Sequence, residues 1–234
     1  SGVEVTWFFR PFFKLAYYLG YQAFGFSYYA WLTSTLVLTL GAMYWGFRTV
    51  HLLTHSSAAA SFSIIFFAGS LHFHLGSLLW AGEGFMNVPC VFLLSASAYY
   101  FTRYIKNQER LLWQLLSILF FVTALGFKEA SFAHVLFLSG IYFLERGKFE
   151  WWPKPLIPHY ALTGIYLIIR LFFLPINPFY HPKLGEGLHT LGYFLLAFLG
   201  PYVVLRICFG KRWTRLGEIR YLPGLFFILY LILT

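Results

Sequence analysis

Apolar residues run through this chain in blocks, separated by short polar connections. The blocks cover roughly 27–50, 57–71, 86–104, 111–126, 130–145, 158–176, 188–208 and 221–234. A helix that crosses a membrane needs about 20 apolar residues, and most of these blocks approach that length. Ahead of them, residues 7–19 are rich in aromatics, with Arg10 and Lys14 four apart and Pro11 suited to a helix start. That pattern predicts an amphipathic helix lying in the membrane interface, its cations snorkelling toward headgroups. The expected fold is all-α. It is a polytopic transmembrane bundle of about eight spanning helices plus the N-terminal interfacial helix, in one domain over 1–234. The last block offers 14 residues, about 21 Å of helix, against a hydrocarbon core of about 30 Å. Residue 1 is not Met. The chain is therefore expected to be a segment of a longer protein, lacking an N-terminal helix with its outer loop and a C-terminal part.

Composition strengthens the membrane reading. Only 11% of residues are charged, against about 25% in soluble domains. The net charge of +9 would suit nucleic acid if it formed a face. Instead the cations sit in short connections between apolar blocks, so no nucleic-acid partner is expected. Cys90 and Cys208 lie inside apolar blocks and read as packing residues.

The distribution of Lys and Arg sets a topology. The connections after 86–104, 111–126, 130–145, 158–176 and 188–208 carry 3, 1, 3, 1 and 5 of them. Under the positive-inside rule the rich connections are cytoplasmic. The Arg10-Pro11 helix, the loop with His72, His74 and Glu83, the Lys128-Glu129 turn and the loop 175–186 then share one extracytoplasmic surface.

The Lys128-Glu129 turn joins two apolar blocks with no Pro or Asn-Gly. A charge at membrane depth costs about 2.5–3.5 kcal/mol on insertion scales, which makes the pair a functional candidate. The bland alternative is a tight hairpin whose charges reach headgroup water. Arg170 lies inside an apolar block and needs an anionic partner, either Glu129 or a ligand phosphate; a snorkelling or structural ion-paired role stands beside that. Arg10, Lys128 and Arg170 together would make a cationic bed for a lipid phosphate. His72 and His74 suit hydrogen bonds to a phosphate or sugar hydroxyl. With Glu83 they are the one place for a divalent metal, but no HExxH or Cys cluster supports it, so no metal or other cofactor is expected. His51 and His55, spaced i, i+4, and His134 are the residues a haem or pigment would use; a solvated helix end and bundle packing are the ordinary alternatives. No Ser-His-Asp order, phosphate loop or dinucleotide fingerprint occurs.

These residues also resemble a family. Phe9-Arg10-Pro11-Phe12 followed by Ala23-Phe24-Gly25-Phe26 is similar to the "Tyr-Arg-Pro-Leu … Leu-Phe-Gly" signature of integral-membrane GT-C glycosyltransferases, in the protein O-mannosyltransferase-like and aminoarabinose-transferase-like branch. Residues 66–83 resemble its short helix leading into an outer loop with His and an acid. Leu125-Gly126-Phe127-Lys128-Glu129-Ala130 resembles its "Leu-Leu-Ser-Lys-Glu" hairpin, and Tyr166-Leu167-Ile168-Ile169-Arg170 its "Tyr-Leu-x-x-Arg" helix. The four motifs occur in order over about 1–175.

The resemblance implies transfer of a sugar from a polyprenyl-phosphate donor to an acceptor on the extracytoplasmic face. Lys128 and Arg170 would contact phosphate, Arg10 and Glu129 would be structural or phosphate-side, and Glu83 would be a loop acid and a weak candidate for catalysis. The family's general-base carboxylate would precede Ser1. Its Asn and His after Arg-Pro are replaced around Tyr28, Tyr29 and Ser34. The alternative from another class is a non-catalytic GT-C-like subunit of a larger membrane complex, with membrane lipids and other subunits as partners and, in one version, a haem or pigment.

Overall fold

The computed structural model describes residues 10–70, 81–106, 110–146 and 153–172. Among them every regular element is helical. In chain order these are α1 (Pro11–Phe24), α2 (Tyr28–Thr54), α3 (Ser57–Ser70), α4 (Ala81–Lys106), α5 (Leu111–Leu125), a 3₁₀ turn (Glu129–Ala133), α6 (His134–Arg146), a second 3₁₀ turn (Lys154–Leu156) and α7 (Ile157–Phe172). One described helix, Tyr28–Thr54, is both long and apolar enough to cross a membrane; Leu111–Leu125 and Ser131–Phe143 are apolar but shorter.

Local chemistry sets the boundaries. Pro11 opens α1, and Gly25 closes it with φ of 55°, a left-handed conformation that costs glycine no Cβ clash. The Trp31 indole donates to the Gly25 carbonyl at 3.0 Å and holds α1 against the start of α2. The Ser27 hydroxyl caps α2 by accepting from the Ala30 amide. α2 runs to Thr54, past the expected end near residue 50, and His55 closes it in the left-handed region.

α4 also departs from expectation. It begins at Ala81 rather than near 86, so Glu83 belongs to its first turn and not to a loop. Pro89 is accommodated inside the helix.

α2 packs along α4, α4 along α5, and α3 along α2; α6 and α7 close the bundle. Small residues allow the close approach. A Cβ on Gly41 would come within 2.7 Å of the Phe92 ring, and Ala42, Gly46, Ala96 and Ala98 are buried. Phe101, Phe121, Leu138 and Leu156 form the fully buried centre.

Large apolar side chains stand on the surface as well as in the centre, and several small polar ones are buried. Leu36, Val37 and Leu40 of α2, Leu111, Leu112, Leu115 and Leu119 of α5, and Ile165 and Ile168 of α7 are exposed, while Thr49, Ser97, Thr102, Ser117, His134 and His159 are fully buried. Many hydroxyls bond the carbonyl four residues earlier on their own helix: Thr33, Ser34, Thr35, Thr39, Thr49 and Thr54 in α2, Ser63 in α3, Thr102 in α4 and Thr123 in α5. Such a hydroxyl carries its own partner, so it can sit in surroundings without water.

Among the described residues, charge gathers toward the two ends of the bundle. No Lys, Arg, Asp or Glu occurs in 15–47, 84–102, 111–127 or 130–144. Arg48, Arg103, Lys106 and Glu145 lie at one end of the bundle, where Lys106 joins Glu145 at 3.3 Å and contacts His55 Nε2 at 3.3 Å. Arg10 and Lys128 lie at the other. Along α4, Met86 beside Arg10 and Arg103 are separated by about 26 Å of helix.

Candidate functional site

The α5–α6 hairpin builds the Lys128 end. After Leu125 the chain tightens: the Phe127 and Lys128 amides both donate to the Ala124 carbonyl, at 2.9 and 3.1 Å. Lys128 then extends with φ of −149° and starts the 3₁₀ turn. Ser131, fully buried, donates to the same Ala124 carbonyl at 3.1 Å. With its one proton used there, Ser131 accepts from the Cys90 thiol at 3.0 Å. These bonds lock the turn that carries Lys128 to α4.

α1 docks on this turn. The Phe12 and Phe13 amides, the first free donors after Pro11, both reach the Gly126 carbonyl, at 3.2 and 3.3 Å. One carbonyl therefore satisfies two of the orphan N–H groups of the α1 N-terminus. The approach requires glycine: a Cβ on Gly126 would collide with the Phe12 ring. Arg10, just ahead of the helix, donates from Nη1 to the Met86 thioether of α4 at 2.7 Å. The Cys90 thiol, one turn further along α4, is within electrostatic reach of Lys128 and of Arg10. The two cations of the Arg-Pro and Lys-Glu motifs, more than a hundred residues apart in sequence, thus share one corner of the bundle.

The remaining predicted residues are placed less fully. Glu83 and Glu129 have backbones at this end, in the first turn of α4 and the first residue of the 3₁₀ turn. α7 climbs in parallel with α5, starting where Gln114 Nε2 donates to the Pro155 carbonyl and His159 Nε2 meets the Ser117 hydroxyl at 3.1 Å. α7 continues as helix past Arg170, toward the end of the bundle that carries Lys128. His72 and His74 lie outside the described residues.

The haem or pigment candidates separate. His51 stacks on Phe47 in α2, with ring centroids 6.0 Å apart. His55, beyond the end of the helix, does not continue the face of His51, and its ring contacts Lys106. The i, i+4 reading needs the helix to continue through His55, which instead caps it in the left-handed region. His134 is buried between Phe121 and Phe137, with centroids 5.8 and 5.7 Å away. Its place is the interior of the bundle, one turn from Ser131.

Two groupings were not anticipated from sequence. In the interior, Ser97 and Ser117 exchange hydroxyl-to-carbonyl bonds between α4 and α5, each 3.0 Å long, and His159 joins them from α7. Gln114 and Ser117 recur at helical spacing with Phe121 on the buried face of α5, a signal present in an otherwise apolar block. At the Arg103 end, Arg48, Tyr44, Tyr99, Arg103 and Trp113 form a cation–aromatic stack; it joins three helices, and no single window of sequence contains it.

No protein-family model, curated protein or solved structure matches the chain.

Proposed function

We propose that the chain is a multi-pass membrane protein of GT-C type that transfers a sugar from a polyprenyl-phosphate donor on the extracytoplasmic side. The observation that carries this reading is the corner where Arg10 and Lys128 meet through Phe12, Gly126, Met86 and Cys90. Two cations beside a predominantly apolar surface suit a ligand with a phosphate head and a hydrocarbon tail. Membrane placement is supported by the exposed apolar faces of α2, α5 and α7 and by charged groups at two levels about 26 Å apart, close to the hydrocarbon thickness.

In this reading the lipid phosphate rests against Lys128 and Arg10, and Arg170 is the third cation. Glu83 and Glu129 have their backbones at the same end, where a carboxylate would accept the acceptor's proton or orient a cation. As the bond from the sugar anomeric carbon to phosphate oxygen breaks, charge builds on the leaving phosphate. Fixed cations stabilise that charge more than the diester ground state, which is the differential binding catalysis requires.

The test is binding and turnover together. Purified full-length protein should retain undecaprenyl phosphate over the neutral alcohol undecaprenol and should release it from an undecaprenyl-phosphate-linked sugar. Binding without turnover would select the non-catalytic GT-C-like subunit, a reading favoured by the broad apolar exposure of α1 and α2, with Leu15, Tyr18, Leu19, Val37 and Leu40 all uncovered. Failure of both would remove the phosphate-lipid reading.

The topology has its own test. Phe26→Cys, at the exposed turn between α1 and α2, should react with an impermeant maleimide added outside intact cells. Arg110→Cys, exposed at the opposite end, should react only after the membrane is opened. The reverse pattern would invert the orientation and place the Lys128 corner in the cytoplasm. Labelling of both from outside would exclude a spanning bundle.

A further inference from the structure

We propose that the Arg103 end of the bundle carries a second anion site, which binds the phosphate of an acidic phospholipid between the guanidinium groups of Arg48 and Arg103. Arg48 Nη2 and Arg103 Nη1 each donate to the hydroxyl of Tyr99 at 3.4 Å, so the two cations lie no more than twice that distance apart. Arg48 also donates to the Tyr44 hydroxyl at 3.0 Å. Arg103 lies flat on Trp113, 4.0 Å from the ring centroid. Among the described residues neither guanidinium has a carboxylate partner. The nearby ion pair, Lys106 with Glu145, is already closed.

Two like charges held this close repel, and the aromatic contacts leave most of their N–H donors unused. Tyr99 is buried and its ring packs against Trp45 and Tyr100, so the phenol that gathers them has little freedom to move away. Arg48 is exposed and Arg103 half-buried, which leaves the pair open from one side. A phosphodiester offers two oxygens to two forks and removes the repulsion.

The tail of such a ligand has a place as well. Val37, Leu40 and Tyr44 form an exposed stripe on α2 at helical spacing, ending at the residue that holds Arg48. Acyl chains along that stripe would bring a headgroup to Arg48. An acidic lipid of the same leaflet is therefore favoured over a soluble phosphate, which would gain nothing from the stripe. The inference rests on the membrane placement of the bundle but not on sugar transfer.

The full-length protein in neutral detergent, mixed with equal amounts of phosphatidylglycerol and phosphatidylcholine, is examined by native mass spectrometry. Phosphatidylglycerol should be retained over phosphatidylcholine by about tenfold or more. Arg48→Gln, an exposed substitution, should lower that preference several-fold, and Arg48→Gln with Arg103→Gln should abolish it. Arg146→Gln, at the exposed end of α6, should leave it unchanged. Equal retention of the two lipids, or an unchanged preference in Arg48→Gln, overturns the proposal. Displacement of phosphatidylglycerol by millimolar inorganic phosphate also overturns it, in favour of a soluble anion site. Retention of neither lipid overturns it as well.

Discussion

Lys128→Ala is expected to lower sugar release from the polyprenyl-phosphate donor by about a hundred- to a thousandfold, the usual loss when one fixed group facing a developing charge is removed. The backbone of the turn is held independently of this side chain: the Lys128 amide donates to Ala124, and the Lys128 carbonyl accepts from Ser131 at 3.1 Å. The variant should therefore fold and insert. Lys128→Met, which keeps the apolar stem, should lose as much activity as Lys128→Ala; Lys128→Arg should recover part of it by restoring the charge. If the side chain served packing alone, the order would reverse, with Met near wild type and Arg worst. Turnover unchanged in Lys128→Ala would remove the phosphate role of this corner.

Gly126→Val should unseat α1. A Cβ at this position collides with the Phe12 ring, and the ring atom nearest the backbone is among those met, so swinging the ring tip aside does not clear it. Forcing a side chain into a filled contact costs about 1–3 kcal/mol. Separating the two segments would also release the Phe12 and Phe13 amides from the Gly126 carbonyl. The bundle of α2, α4 and α5 does not depend on that contact, so the loss should be local: greater protease sensitivity before Ser27, a melting point lowered by a few degrees, and transfer activity reduced with Arg10 displaced. Phe12→Ala combined with Gly126→Ala vacates the space and should restore protection of α1. If the double variant is no better than Gly126→Ala alone, the collision with Phe12 is not what Gly126 avoids.

Several features were legible without coordinates. Among the described residues, apolar blocks are helical over most of their expected ranges, because a segment without polar partners must satisfy its backbone internally; the blocks 188–208 and 221–234 lie outside the described residues. The sequence motif Arg10-Pro11 marked the start of α1, and Pro11 occupies the first helical position as its fixed φ and missing N–H allow. The Lys128-Glu129 turn was recognisable as a hairpin because two charges interrupted an uninterrupted apolar stretch. Less legible were the ends of α2 and α4. The connection carrying Glu83 was expected to be a loop, yet Glu83 lies within α4.

By itself, then, the order of residues determined the helical class, the blocks, and the two levels at which charge is tolerated, since these follow from hydropathy and spacing along one segment. What only the tertiary structure decided is which charges meet. Arg10 comes to the corner of Lys128 because the carbonyl of Gly126 accepts the first amides of α1, and Arg48 comes beside Arg103 because both bond the Tyr99 hydroxyl. Those encounters depend on the angle and depth at which helices pack, which small residues such as Gly126 permit. No periodicity within a single helix records that geometry.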